Sequence, residues 1–261
     1  MADHPREITD VIVNFKNEPK GLTYVRSSRL VIVGCVNTAV KDGDISSHRL
    51  RGLDIGKDVR VRPAEFYPAG HDELAGLAGE LGERYGLLVW LGRYAGLRIG
   101  ESLGIRADDI VTDIDGGKVL VLRRQRTANG TLAYPKARAA SDPPRRIPVS
   151  AFLAARLTDT ATDAEGYYFP AEWRPTVQAR FNSAVKRSGL PASFTPHALR
   201  HIFASDLLSK GARLDLVSKI LGHQSVEITS RFTLTRCPAI SARYALCWLP
   251  RDPWSLEILG R

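Results

Sequence analysis

Between Thr195 and Gly222 the chain reads T-P-H-A-L-R-H-I-F-A-S-D-L-L-S-K-G-A-R-L-D-L-V-S-K-I-L-G, and its punctuation leaves room for little but two helices and a turn. Thr195 and Pro196 suit N-cap and N1 positions, where an oxygen acceptor helps and a missing N–H costs nothing. Leu199, Ile202, Phe203 and Leu207 recur at helical spacing, and Gly211 supplies a left-handed stop. A second helix carries Leu214, Val217 and Leu221 and ends at Gly222. A third is expected from Ser225, with Val226, Ile228 and Phe232 on it.

Upstream the same reading predicts a mixed, mainly helical chain. Ser27 or Ser28 can cap a helix running to about Lys41, with Leu30, Val33, Val36, Asn37 and Val40 in period and Gly43 at its end. Helices are expected over Asp72–Leu81 and Arg84–Tyr94, and a shorter helical segment over Arg98–Ile105. Lys118–Arg124 and Arg145–Val149 read as strands bracketing a T-A-N-G-T turn and a P-K-A-R-A-A-S-D-P-P loop. Pro175–Ser188 reads as a helix stopped by Gly189.

The first of the punctuated helices carries the chemistry. His197, Arg200 and His201 stand at i, i+3 and i+4 in its opening turns, where free N–H groups and the positive dipole end favour an anion. An arginine fork matches two phosphate oxygens. A solvated face with one core histidine accounts for the same spacing. Helix, S-K-G-A turn and helix also resemble a helix-turn-helix DNA reader with no catalysis. His223, after Gly222, fits a histidine favoured at a helix C-terminus. Arg98 and Glu101 in A-G-L-R-I-G-E-S-L fit an ordinary i,i+3 pair, and Lys136 after Pro135 a solvated loop lysine.

Charge narrows the partners. Lys+Arg 37 against Asp+Glu 28 gives +9, which favours a polyanion. Three cysteines, Cys35, Cys237 and Cys247, make neither a disulfide framework nor a close metal-ligand set, so a reducing compartment is expected. No apolar run approaches the ~20 residues that span a bilayer, and the N-terminus lacks a signal-peptide pattern. The expectation from composition is a soluble, cytoplasmic chain.

Taken together and in order, A-G-L-R-I-G-E, the P-K hairpin with R-R-I-P-V, T-P-H-A-L-R-H, and L-G-H followed nine residues later by Phe232 resemble the tyrosine recombinase (phage integrase) family. The resemblance covers roughly residues 64–235. It implies an α+β, mainly α, catalytic domain, helical with a small antiparallel sheet, at residues 63–235. Residues 1–62 would be a truncated helical core-binding segment and linker, and residues 236–261 an atypical tail. It further implies that Arg98 and Arg200 bind the scissile phosphate and stabilise its transition-state charge. Lys136 would be the general acid for the departing 5′-oxygen. His197 would assist phosphate binding and nucleophile activation, and His223 would hydrogen-bond the phosphate. Glu101 and His201 would support the site. No metal and no cofactor are implied, because arginines supply the charge stabilisation. The partner would be double-stranded DNA, held by four protomers on paired sites, with accessory DNA-bending proteins as a further expectation.

The family's nucleophile is a tyrosine at the position of Phe232, whose ring has no oxygen to attack phosphorus. Tyr244 is the one tyrosine beyond it, twelve residues on, with Pro238 between. Pro238, Pro250 and Pro253 would interrupt the long helix the family carries there. Two functions are therefore expected: a site-specific recombinase or integrase-type protein of impaired competence, or a non-catalytic DNA-binding remnant that competes for recombination sites.

Overall fold

The computed structural model describes residues 22–47, 66–135 and 142–222. Contacts divide the chain into two units, Met1–Pro63 and Ala64–Arg261. In the first, helix α1 spans Leu22–Asp42 and closes at Gly43, whose φ is 84°. Ser27 and Ser28 lie inside α1 instead of capping it, so the start expected from their hydroxyls is displaced by more than a turn. Leu30 and Val31 are exposed.

The second unit is built on α2, His71–Ala95, which covers both helices expected between Asp72 and Tyr94. Gly82, at φ 76° and ψ 170°, breaks it into two segments. Leu87, Leu88, Val89, Trp90, Leu91, Tyr94 and Ala95 are all buried, so the second segment is covered on nearly every side and forms the middle of the core. Around it pack α3 (Ile99–Ser102), α4 (Ala151–Asp159), α5 (Arg174–Arg187) and α6 (Pro196–Ser209). The last helix described, α7 (Leu214–Leu221), rests Val217 and Leu221 on Phe203, Ala204 and Leu207 of α6. Arg93 of α2 pairs with Asp206 of α6 at 3.2 Å, both side chains nearly buried, which fixes α6 along α2.

The sheet is small and antiparallel. Strands β1 (Ile110–Thr112), β2 (Lys118–Leu122) and β5 (Arg145–Val149) lie in the order β1-β2-β5, with Leu120 opposite both Ile110 and Ile147. Between β2 and β5 a two-stranded ribbon, β3 (Gln125–Arg126) and β4 (Leu132–Ala133), encloses the T-A-N-G-T turn. The expected strand over Lys118–Arg124 thus ends at Leu122, and β1 and α4 add to the elements read from sequence. β1 is three residues long, too short for a period-2 pattern to register. α4 follows β5 directly, with Ser150 Oγ accepting from Leu153 N at 3.3 Å as its cap.

Candidate phosphate pocket

Site geometry begins where α2 stops. Gly96 adopts the left-handed conformation at φ 61°, and its N–H bonds the carbonyl of Leu91. A Cβ there would stand 2.5 Å from the ring of Phe203 and 2.9 Å from Leu221, so the position needs glycine for both its φ and its neighbours. The turn delivers Arg98 to the N-cap of α3, one helical turn before Glu101. Glu101 Oε2 accepts from the Arg98 backbone N–H at 2.9 Å, and Oε1 from Arg98 Nη1 at 2.8 Å.

Glu101 is fully buried, and three guanidiniums surround it. Arg145, from the first residue of β5, reaches it with both terminal nitrogens, Nη2–Oε2 at 2.8 Å and Nη1–Oε1 at 3.2 Å. Arg200 Nη1 comes within 3.8 Å of Oε2. Arg200 itself is almost wholly buried; Nη1 donates to the carbonyl of Gly96 at 2.6 Å and Nη2 to that of Leu221. Arg145 Nη1 donates to the same Leu221 carbonyl at 3.0 Å. Arg98 Nη2 lies 3.5 Å from the carbonyl of Gly222. Three chain segments distant in sequence therefore meet on one carboxylate, and their arginines also hold the end of a fourth, α7. Only Arg98, with 28% of its side chain exposed, opens the cluster to solvent.

Burial by itself would raise the Glu101 carboxyl, but the charge and hydrogen bonds of Arg145, then the charges of Arg98 and Arg200, outweigh it and hold it at about 2. Burial, followed by the charge of Arg98, lowers the Arg200 guanidinium to about 9, with Glu101 pulling it back up. At neutral pH both groups are ionised, and one carboxylate against three guanidiniums leaves two positive charges uncompensated. That excess, presented through Arg98, is what an anion would meet.

Other residues expected at the site are placed as follows. His197, in the opening turn of α6, is exposed, and its ring lies edge-on to that of His201 at 4.5 Å between centroids. Thr195 has extended N-cap backbone, at φ −128° and ψ 164°, but its hydroxyl makes no capping bond. Lys136, His223 and Phe232, with Tyr244, lie outside the described residues. Gln125 Nε2 donates to the carbonyl of Tyr134 at 2.8 Å, two residues before Lys136, and α7 ends at Gly222, one residue before His223.

Arg145 is the site residue that sequence reasoning passed over. The strand R-R-I-P-V was legible, and it alternates buried, exposed, buried over Arg145, Arg146 and Ile147. An arginine on the same strand face as a core isoleucine must find an acceptor indoors, a signal that marks Arg145 as buried but does not say what it meets.

Comparison with known proteins follows the same lines. Residues 72–236 match the model of the phage integrase family. Tyrosine recombinase XerC of Bradyrhizobium diazoefficiens is 32% identical over 151 residues, 53% of this chain and 42% of that protein. The XerC of Nitrobacter winogradskyi is 30% identical over 206 residues, 70% of this chain and 57% of that one. The chain spans about half the length of these curated relatives. Among solved structures, the Tn1549 transposon integrase in complex with circular intermediate DNA superposes with a TM-score of 0.68 at 17% identity, covering 94% of this chain and 85% of that one. XerH site-specific recombinase bound to difH substrate gives 0.60 at 15% identity, covering 92% and 68%. At these identities the likeness is one of fold. No helix among the described residues is long and apolar enough to cross a membrane.

Proposed function

The chain belongs to the phage integrase family, and from that premise we propose that it binds duplex DNA and grips one phosphodiester at the pocket opened by Arg98. The carrying observation is the convergence of Arg98, Arg145 and Arg200 on the buried Glu101, which leaves two positive charges in a preorganised, largely dry site. In the reaction of a complete site, a tyrosine hydroxyl gives up its proton with the help of His197, its oxygen bonds to phosphorus as the bond to the 5′-oxygen breaks, and the departing 5′-oxygen takes a proton. Lys136 is assigned the proton, His197 and His223 the phosphate, and Arg98 and Arg200 the charge that builds on its oxygens. Four protomers on paired DNA sites, and a core-binding segment within residues 1–62, belong to the same reading.

At Phe232 the chain has no oxygen to attack with, and that observation favours a second outcome: DNA is held at the pocket and not cut. Duplexes enriched from a randomised pool by the full chain, then nicked next to the bound centre, separate the two. The unaltered chain is expected to leave no denaturant-resistant protein–DNA adduct, and Phe232→Tyr to form one. An adduct with the unaltered chain that persists in Tyr244→Phe would overturn the assignment of the nucleophile position. Binding without an adduct in Phe232→Tyr would favour the non-catalytic reading, and failure to enrich any duplex would sink both.

A further inference from the structure

We propose that Arg145 is a positioning residue that keeps Arg98 and Arg200 available to a phosphate, by holding both Glu101 and the last carbonyl of α7 in their place; the inference rests on the pocket reading above. Glu101 is the strongest acceptor in the cluster, and whichever guanidinium takes both its oxygens is lost to an incoming anion. Arg145 is the one that does so, with contacts of 2.8 and 3.2 Å, while Arg98 holds a single oxygen with its side chain and Arg200 stands off at 3.8 Å. Arg145 can be spent this way because it is itself nearly buried, at the inner end of β5, whereas Arg98 faces solvent.

The carbonyl of Leu221 makes the same point for Arg200. To reach a phosphate, Arg200 must let go of a backbone acceptor, and a buried carbonyl left without a donor is costly. Leu221 O receives Arg145 Nη1 at 3.0 Å as well as Arg200 Nη2, so Arg200 can release it and the carbonyl stays satisfied. The fit is tight from the other side too. Gly222 sits at φ 65°, and a Cβ on it would fall 2.5 Å from Arg145 Nη1. Arg145 therefore packs on the backbone that leads into His223. Lysine cannot replace it: one ammonium cannot span both carboxylate oxygens and the carbonyl in a fixed fork.

Arginine Nε–Hε resonances of the full-length chain, followed by NMR during titration with inorganic phosphate, test the assignment. In the unaltered chain the Arg98 and Arg200 signals are expected to shift with a common affinity. Arg145→Lys should weaken that affinity about ten-fold or more, the loss of one charge-assisted contact at each arginine. Glu101→Gln removes the competing carboxylate and leaves Arg145 in place, so it should bind phosphate at least as tightly as the unaltered chain. Arg145→Met with Glu101→Gln should recover most of what Arg145→Lys loses, an outcome a purely structural role does not produce. Phosphate binding by Arg145→Lys equal to that of the unaltered chain, or weaker binding by Glu101→Gln, overturns the proposal while the pocket stands. An unaltered chain whose Arg98 and Arg200 signals ignore phosphate overturns the pocket and this inference together.

Discussion

Acid should destabilise this protein through Glu101, and the size of the effect follows from the cluster. The carboxyl ordinarily titrates at 4.5, and in the folded chain it is held at about 2. Between those values the unfolded chain binds the extra proton and the folded chain does not, so stability rises with pH across that window. At 1.36 kcal/mol per unit, the ionised carboxylate contributes about 3 kcal/mol above pH 5, and about 2 kcal/mol of that is gone by pH 3. Arg200, depressed to about 9, stays charged throughout this range and adds nothing to its slope. Urea unfolding of the unaltered chain and of Glu101→Gln, followed by tryptophan fluorescence at pH 6, 4 and 3, isolates the term, because glutamine does not titrate. The stability difference between the two chains should shrink by about 2 kcal/mol from pH 6 to pH 3. A difference that does not change with pH would mean that the three arginines do not hold the carboxylate ionised, and the charge account of the pocket would fail with it.

Two further predictions concern the scaffold. Gly96→Ala meets both an unfavourable positive φ and the Phe203 ring at 2.5 Å, so it should cost at least about 2 kcal/mol in chemical denaturation and pull Arg98 out of register; a loss under about 0.5 kcal/mol would show that the turn can relax. Asp109, almost fully buried, accepts from Arg123 at 2.7 Å and Arg124 at 2.9 Å. Because both arginines keep some exposure and can return to water, Asp109→Asn should cost only about 1–2 kcal/mol, less than breaking a fully buried pair, and a melting curve checks it.

Much of this arrangement is legible in one dimension because it is written in local chemistry. Thr195-Pro196 opens α6 and Gly222 closes α7 by rules that act within a single turn. The spacing of Arg98 and Glu101 puts their side chains in contact on α3 whatever the rest of the chain does. Ser27 and Ser28 misplaced the start of α1 because a capping residue is only permissive, and the helix runs through both from Leu22. Thr195 is the converse case, in the N-cap place with the expected backbone but without the hydroxyl bond.

What sequence alone determined is the inventory: two arginines, two histidines and a lysine in a characteristic order, a phenylalanine nine residues after His223, and most of the helices among the described residues. Tertiary structure decided which of these meet. An i,i+3 pair on an exposed helix would contribute about 0.3–0.5 kcal/mol, yet Arg98 and Glu101 instead anchor a buried four-residue charge cluster. Burial changed its rank, and burial depends on α2, α6, α7 and β5 closing over one carboxylate. Arg145 shows the limit most clearly: 44 residues separate it from Glu101 and 76 from Leu221, and no local pattern carries a contact made across such distances.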